Sequence, residues 1–289
     1  MMDSKYWLYV CTFLLVSSFV ISTPVPVEDE IVEEANDTRI IGGEKAQSAQ
    51  FPFIVNLRFT SKNARGEEVT SKFCGGAIIA DHWVLTAAHC IVGDKSQGKN
   101  LYILGGAVDA QPLMDPHGME FKVKQTFMHP KYVHGGTPPH DIGLLYIKIK
   151  LPSNKFMQKI KLPNAGDMPT GEGTIAGWGA MDSDVGASQS RYLMTVSGPI
   201  TSLEDCKKFY VTTQMEKQVC FGGKGKTACG GDSGGPLIQI IDGEPVLVGV
   251  SSFTQRPCGQ KPSVYTRVSA YLDDFIYPTI KSVDPDAFN

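Results

Sequence analysis

Residues 229–236 read Cys229-Gly-Gly-Asp-Ser-Gly-Gly-Pro236, one serine set between two pairs of glycines. Glycine on both sides permits a tight turn and lets another backbone approach without meeting a Cβ. In such a turn successive backbone N–H groups can point at a single oxygen, the arrangement a developing oxyanion requires. The bland reading is a glycine-rich turn; the chemical one makes Ser233 a candidate nucleophile. A serine hydroxyl is weak alone and needs an adjacent base, itself oriented by a third group.

The candidate base is His89, in Leu85-Thr-Ala-Ala-His-Cys90, where small apolar neighbours and a cysteine would fix the imidazole. His82, His117, His129 and His134 read instead as surface or core filler, and His140 stands beside the candidate acid. That acid is Asp141, placed directly ahead of the apolar run Ile142-Gly-Leu-Leu-Tyr-Ile147, where a strand enters a core. An aspartate there ordinarily caps a turn, and only a histidine and serine to pair with lift it above that role.

Around these segments the 289 residues look like an ordinary globular protein, 42% hydrophobic and 20% charged, which excludes wholesale disorder. The 30 Gly and 18 Pro have no period, which excludes a collagen-like chain. The net charge, 27 − 30 = −3, is too small and dispersed for a nucleic-acid binder. Short β-rich runs bounded by turn residues fall at 53–59, 76–79, 83–86, 101–104, 121–127 and 142–148. A second set follows at 173–178, 192–199, 236–241, 245–253 and 263–268, with LPSNKFMQKIKLP (151–163) as the linker between the sets. Regularly spaced short strands predict an all-β, antiparallel architecture. Only 270–281 reads as a helix, interrupted late by Pro278.

The N-terminus reads as a processing signal. Residues 7–21 form an apolar stretch of signal-peptide length after Lys5, with Val20 and Ser22 at −3 and −1 of a cleavage site before Thr23. It is shorter than the roughly 20 apolar residues of a membrane span. The expected product is a secreted, extracellular protein with no membrane contact. Residues 23–39 hold Glu28, Asp29, Glu30, Glu33, Glu34 and Asp37 against Arg39 and have the composition of an activation segment that buries little. Without residues 1–39, which carry two basic and seven acidic side chains, the balance becomes 25 − 23 = +2. With Cys11 in the signal, six cysteines remain: Cys74, Cys90, Cys206, Cys220, Cys229 and Cys258. An even set in a secreted chain reads as three disulfides with 15 connectivities open, and nearest neighbours would pair 74–90, 206–220 and 229–258. Asn36-Asp-Thr38 is a glycosylation sequon inside the activation segment.

Arg39-Ile-Ile-Gly-Gly43, Thr86-Ala-Ala-His-Cys90, Asp141-Ile-Gly-Leu-Leu145 and Gly230-Gly-Asp-Ser-Gly-Gly-Pro236 occur in that order, and together they resemble the chymotrypsin-like serine endopeptidases. The resemblance covers residues 40 to about 281, and the pattern is similar to that of arthropod digestive chymotrypsin- or elastase-like enzymes. It implies two six-stranded antiparallel β-barrels with the site in the cleft between them, and a C-terminal helix at about 270–281. The first barrel would span about 40–155 and the second about 156–268, within a peptidase domain of 40–289 that acts as a monomer. His89, Asp141 and Ser233 would form the triad, Gly231 and Ser233 the oxyanion hole, and the nearest-neighbour disulfides match the family's common set. No cofactor is implied. Asp109, Asp115 and Glu120, in the stretch where relatives carry calcium ligands, lack convincing spacing, so no metal is expected.

Cleavage after Arg39 by a trypsin-like protease would free the Ile40 α-amino group, which by resemblance inserts and pairs with Asp232. In the same resemblance the pocket floor falls at Thr227, bordered by Lys226, and the substrate pocket takes in Ser252, Phe253, Thr254 and Ser263, with Thr254 and Ser263 at the wall positions. A neutral Thr227 argues against strict specificity for Lys or Arg. Two hydroxyl-bearing walls narrow the slot, so the expected residue before the cut is small to medium and uncharged. Gly230 stands where relatives often carry a bulkier side chain, which would leave the pocket entrance open. Protein or peptide substrates and protein inhibitors are the expected partners. The rival readings are a non-catalytic protease-like binding protein, which would usually have lost a triad residue, and a regulatory cascade protease, which would usually carry an additional module.

Overall fold

In β2 (Ile54–Lys62) the first five positions are buried and the last two exposed, and β3 (Glu68–Ala80) runs the opposite way, from exposed to buried. The two therefore form a hairpin whose tip stands in solvent, turned at Asn63 and Gly66, where Asn63 Oδ1 accepts the N–H groups of Arg65 and Glu67 at 2.9 and 3.0 Å. The computed structural model describes residues 42–92, 100–111, 114–180, 188–212 and 214–288. The first sheet adds β4 (Trp83–Thr86), β5 (Leu101–Gly105), β6 (Met119–Lys122), β7 (Gln125–Met128) and β8 (Gly143–Tyr146) in the order β6-β5-β2-β3-β4-β8-β7. The predicted run at 121–127 is thus divided. Its halves pair with β5 and β8, while Val123 N donates to Leu101 O and Lys124 N to Tyr146 O, so one bent chain curls the sheet back on itself.

The second sheet is built from β9 (Gly171–Gly177), β10 (Met194–Thr201), β11 (Gln218–Phe221), β12 (Pro236–Ile241), β13 (Glu244–Phe253) and β14 (Ser263–Arg267). Each pairs antiparallel with the next around β9-β10-β11-β14-β13-β12, and β12 returns to β9, which closes a six-stranded barrel. β11 was not apparent in the sequence: four residues, two of them Gln218 and Cys220, are too few to show an alternation. Burial of all four between β10 and β14 makes it a strand.

The chain does not divide between the sheets as simply as its order suggests. A two-residue strand, β1 (Glu44–Lys45), pairs with β10 of the second sheet, although the expected first barrel began at residue 40. Conversely, the C-terminal segment packs on the first sheet's core: Tyr271, Leu272, Phe275, Ile276 and Ile280 are buried with Trp83, Leu85 and Leu144. Trp83 Nε1 donates to Asp284 at 3.2 Å. The α-helix itself is Tyr277–Val283, so Pro278 opens it rather than interrupting it. Proline has no N–H to give and a φ already suited to a first turn. The preceding residues, Leu272–Ile276, wind more widely, with Ile276 N reaching Tyr271 O at 2.8 Å. Three disulfides join Cys74–Cys90, Cys206–Cys220 and Cys229–Cys258, the nearest-neighbour set.

Candidate active site

Asp141 lies in the turn that leads into β8 and is wholly buried. Its carboxylate stays in a dry site because three donors hold it, as a buried charge requires. Oδ1 accepts the backbone N–H of His89 at 2.9 Å, and Oδ2 accepts His89 Nδ1 at 2.7 Å and Ser252 Oγ at 2.6 Å. Thr266 Oγ1 fixes the backbone by donating to Asp141 O at 2.8 Å. With Nδ1 donating, Nε2 is the free acceptor on His89, which sits in a single turn of 3-10 helix after β4 with an edge open to solvent. Ser252, expected among the pocket residues, thus turns its hydroxyl to Asp141. Nothing in the spacing of Ser252 or Thr266 disclosed these contacts.

Ser233 is carried to His89 by the packing of its glycines on the first sheet. Gly75 N donates to Ser233 O at 2.7 Å, and Thr86 Oγ1 donates to Gly75 O at 2.8 Å. A Cβ on Gly234 would stand 2.3 Å from Thr86 Oγ1, 2.6 Å from Gly75 O and 3.2 Å from Ala87 N, so only glycine allows the turn to lie against the chain that enters His89. Ser233 is half-buried, and no hydrogen bond joins its Oγ to His89 among the described residues. His89 Nε2 lies 3.7 Å from Cys90 Sγ. Catalytic contacts of this kind are commonly long until substrate binds.

The turn at 229–235 is fixed from within by Asp232, which is buried. Its carboxylate accepts Cys229 N at 2.9 Å and Gly179 N at 2.8 Å, while Ala180 N donates to Gly230 O at 2.6 Å. Burial pushes the Asp232 carboxyl up to about 6 against those two N–H bonds. Gly231 adopts φ +99°, a region open to glycine at little cost. The guanidinium of Arg256 lies 3.0 Å from where a Cβ of Gly230 would stand, so the entrance expected to be open is lined by that side chain.

Of the residues expected in the pocket, Thr227 is fully buried and its Oγ1 accepts Gly259 N at 2.8 Å; Ser263 Oγ accepts Ala228 N at 3.0 Å. Each hydroxyl keeps its proton for a further acceptor. Phe253 and Thr254 are half-buried at and beyond the end of β13, where Tyr210 packs edge-on to Phe253 and donates to Pro262 O at 2.7 Å. The carboxylates of the 105–120 stretch are spent within the chain. Asp115 accepts the N–H groups of Val108, Asp109 and His117, Asp109 pairs with Arg191 at 2.7 Å and Glu120 with Arg58 at 3.1 Å. Cys74, His89 and Cys90 bring ligand atoms within 4.8 Å of one another, but the two sulfurs are joined to each other. Asn36, Arg39 and Ile40 lie outside the described residues.

A histidine clamped to a buried aspartate across from a glycine-bedded serine, in an antiparallel two-sheet frame, defines a serine endopeptidase. The Trypsin family model matches residues 40–275, and the chain belongs to that family. It is 34% identical over 258 residues to Lectizyme of Glossina austeni, covering 84% of this chain and 87% of that one. It is 33% identical over 263 residues to Trypsin of Phaedon cochleariae (89% and 92%), and 31% identical over 258 residues to Venom serine protease Bi-VSP of Bombus ignitus (84% and 69%). No helix among the described residues is long and apolar enough to cross a membrane.

Proposed function

We propose that the chain is a secreted zymogen whose cleavage after Arg39 yields an endopeptidase that acts through an acyl-enzyme and prefers uncharged residues before the cut. Ser233 Oγ attacks the scissile carbonyl while His89 Nε2 takes its proton and later gives it to the leaving amine. Asp141 keeps Nδ1 protonated and stabilises the imidazolium without itself taking the proton. The N–H groups of Gly231 and Ser233 receive the oxyanion, a contribution of about 3–4 kcal/mol per donor in comparable enzymes.

The observation that carries this reading is the triple hold on Asp141, by His89 N, His89 Nδ1 and Ser252 Oγ, since a clamp of that cost serves an imidazole that must not turn. Activation is supported by Asp232. A carboxyl driven up to about 6 by burial is one that an inserted ammonium, here that of Ile40, would return to its charged form. The neutral floor is supported by Thr227, whose hydroxyl has no charge to offer Lys or Arg.

The test is recombinant precursor cleaved at Arg39 and assayed on peptide amides that differ only in the residue before the cut, with Ser233→Ala as control. Cleavage after Ala, Leu or Met is expected. Dominant cleavage after Phe or Tyr would mean a deep slot, and no cleavage by processed protein would favour a non-catalytic binding role.

A further inference from the structure

We propose that His140 is the positioning residue of the triad: its ring, gripped from three separate segments, keeps a left-handed bend in the backbone that aims Asp141 at His89. This rests on the roles proposed for His89, Asp141 and Ser233. His140 adopts φ +54° and is buried. Ala49, Lys224 and Asp242, the other non-glycine residues with positive φ among the described residues, are half-buried or exposed. A side chain is strained in that region, although histidine enters it more often than most residues do. Such a conformation persists only where the surrounding structure enforces it.

The bend sets the direction of Asp141. Ile142 N donates to His140 O at 2.8 Å, which closes a three-residue turn with Asp141 at its apex. The far side of the turn is tied down as well: His129 N donates to Ile142 O at 3.1 Å, and Thr266 Oγ1 holds Asp141 O at 2.8 Å. Relaxation of residue 140 to an ordinary negative φ would open this turn and swing the Cα–Cβ bond of Asp141. The two oxygens that receive His89 N and Nδ1 would swing with it.

The ring opposes that relaxation. It stacks on His129, just past β7, with 4.5 Å between centroids and 3° between planes. Tyr271 of the C-terminal segment meets it edge-on and brings Oη to 3.2 Å from Nδ1. Gln214, ahead of β11, brings Nε2 to 2.7 Å from His140 Nε2. An amide nitrogen only donates, so His140 Nε2 accepts, and the one ring proton lies on Nδ1, where it is donated to Tyr271. Gln214 Oε1 meanwhile stays buried without a partner among the described residues. A buried acceptor left unmade is costly, so the carboxamide is turned to grip the imidazole rather than to satisfy itself. A ring that merely filled the core would need neither polar contact.

The experiment measures kcat and KM on one peptide amide for the cleaved enzyme and for His140→Ala, His140→Asn and Tyr271→Phe, with a melting curve of each to verify folding. His140→Ala leaves the bend without its grip: kcat falls roughly 10- to 100-fold, the effect of a small misplacement, and KM stays within about twofold. His140→Asn tolerates the left-handed region and places an amide where Nδ1 stood, facing Tyr271. It forgoes only the bond to Gln214, so its kcat returns to within about threefold of the unmodified enzyme. Tyr271→Phe keeps the edge contact without the hydroxyl and lowers kcat about threefold at constant KM. A lower melting temperature with kcat unchanged in His140→Ala would make the ring core filler. A change confined to KM would place its effect on substrate binding, and an equal loss of kcat in the Ala and Asn variants would mean that the bend is immaterial; each overturns the proposal. Should His140→Ala fail to fold, Tyr271→Phe decides, and an unchanged kcat there overturns it. Turnover of the amide by the unmodified enzyme, absent in Ser233→Ala, tests the triad itself separately.

Discussion

Asp232 sits where two glycines leave it room: a Cβ on Gly177 would lie 2.1 Å from its Oδ1, and one on Gly179 2.3 Å from its Oδ2. Gly179→Ala should therefore expel the carboxylate, release Cys229 N and loosen the turn that presents Gly231. The milder Asp232→Asn keeps the shape and removes the charge that the Ile40 amine would meet. Loss of one partner of a buried pair costs about 3–5 kcal/mol, so the cleaved Asp232→Asn enzyme should lose on the order of 100-fold or more in kcat/KM. N-terminal sequencing would verify the cleavage, and full activity in that variant would refute the pairing. At the proposed pocket floor, Thr227→Asp keeps an acceptor for Gly259 N and adds a charge. Cleavage after Arg relative to Leu should rise at least about tenfold through a charge-assisted contact. An unchanged ratio in the peptide-amide panel would place the floor elsewhere. Residues of this kind were legible in the sequence because local motifs hold them within a few positions of the chemistry. Ser252 and Thr266 were not legible, because 111 and 125 residues separate them from Asp141 and only the closed barrel brings them together.

Elements were legible where a face alternates and obscure where tertiary contacts decide. β12 and β14 coincide with the predicted runs to within one residue, since their hydrophobic positions are bounded by turn residues. The outer half of β3, Glu68 to Lys72, is exposed and polar but for Val69, and is a strand only because β2 pairs with it across the turn at Asn63 and Gly66. β11 was invisible for the opposite reason, being short and buried throughout. It is held at one end by the Cys206–Cys220 disulfide, which ties it to the short helix Leu203–Lys207. Cys206 and Cys220 pack with Tyr210, Met215 and Val264, and Tyr210 in turn leans on Phe253 at the end of β13. Replacing both cysteines with alanine should destabilise the protein by roughly 3 kcal/mol, as expected for a loop of this length. For a domain of this size that lowers the melting temperature by roughly 6–12 °C, measurable by calorimetry. An unchanged melting temperature would mean that side-chain packing alone holds β11 in place.

The molecule as a whole is joined near the site by a pair of stacked histidines. His129 follows β7 and His140 precedes Asp141; their rings lie 4.5 Å apart and nearly parallel, and both are buried. Tyr271 and Phe275 of the C-terminal segment close over them, so the pair lies where that segment seals the first sheet. Gln214 Nε2 lies 2.7 Å from His140 Nε2, Tyr271 Oη lies 3.2 Å from His140 Nδ1, and Lys131 N donates to His129 Nδ1 at 3.1 Å. Burial, reinforced by the neighbouring His140, lowers the His129 pKa to about 4; burial lowers that of His140 too, with Lys217 and Lys131 adding to the effect and Asp274 and Glu216 opposing it. A histidine titrating near 6.5 when unfolded and near 4 when folded binds more protons in the unfolded chain between those values. Through His129, stability is therefore insensitive to pH above 6.5 and falls as the pH drops from about 6.5 to 4, by at most about 1.4 kcal/mol per pH unit, and His140, lowered too, adds in the same direction. Asp232 opposes this trend: its raised pKa makes the folded chain hold the extra proton between 3.8 and about 6, so its own contribution weakens as pH rises through that window. The histidine contribution is isolated by comparison with His129→Phe, which keeps a ring against Tyr271 and cannot charge. Urea unfolding of the two proteins from pH 4 to 7.5 should show midpoints that separate progressively below pH 6.5, the variant being the less sensitive to acid. Parallel midpoints across that range would mean that the stacked pair takes up its proton without opening the seal.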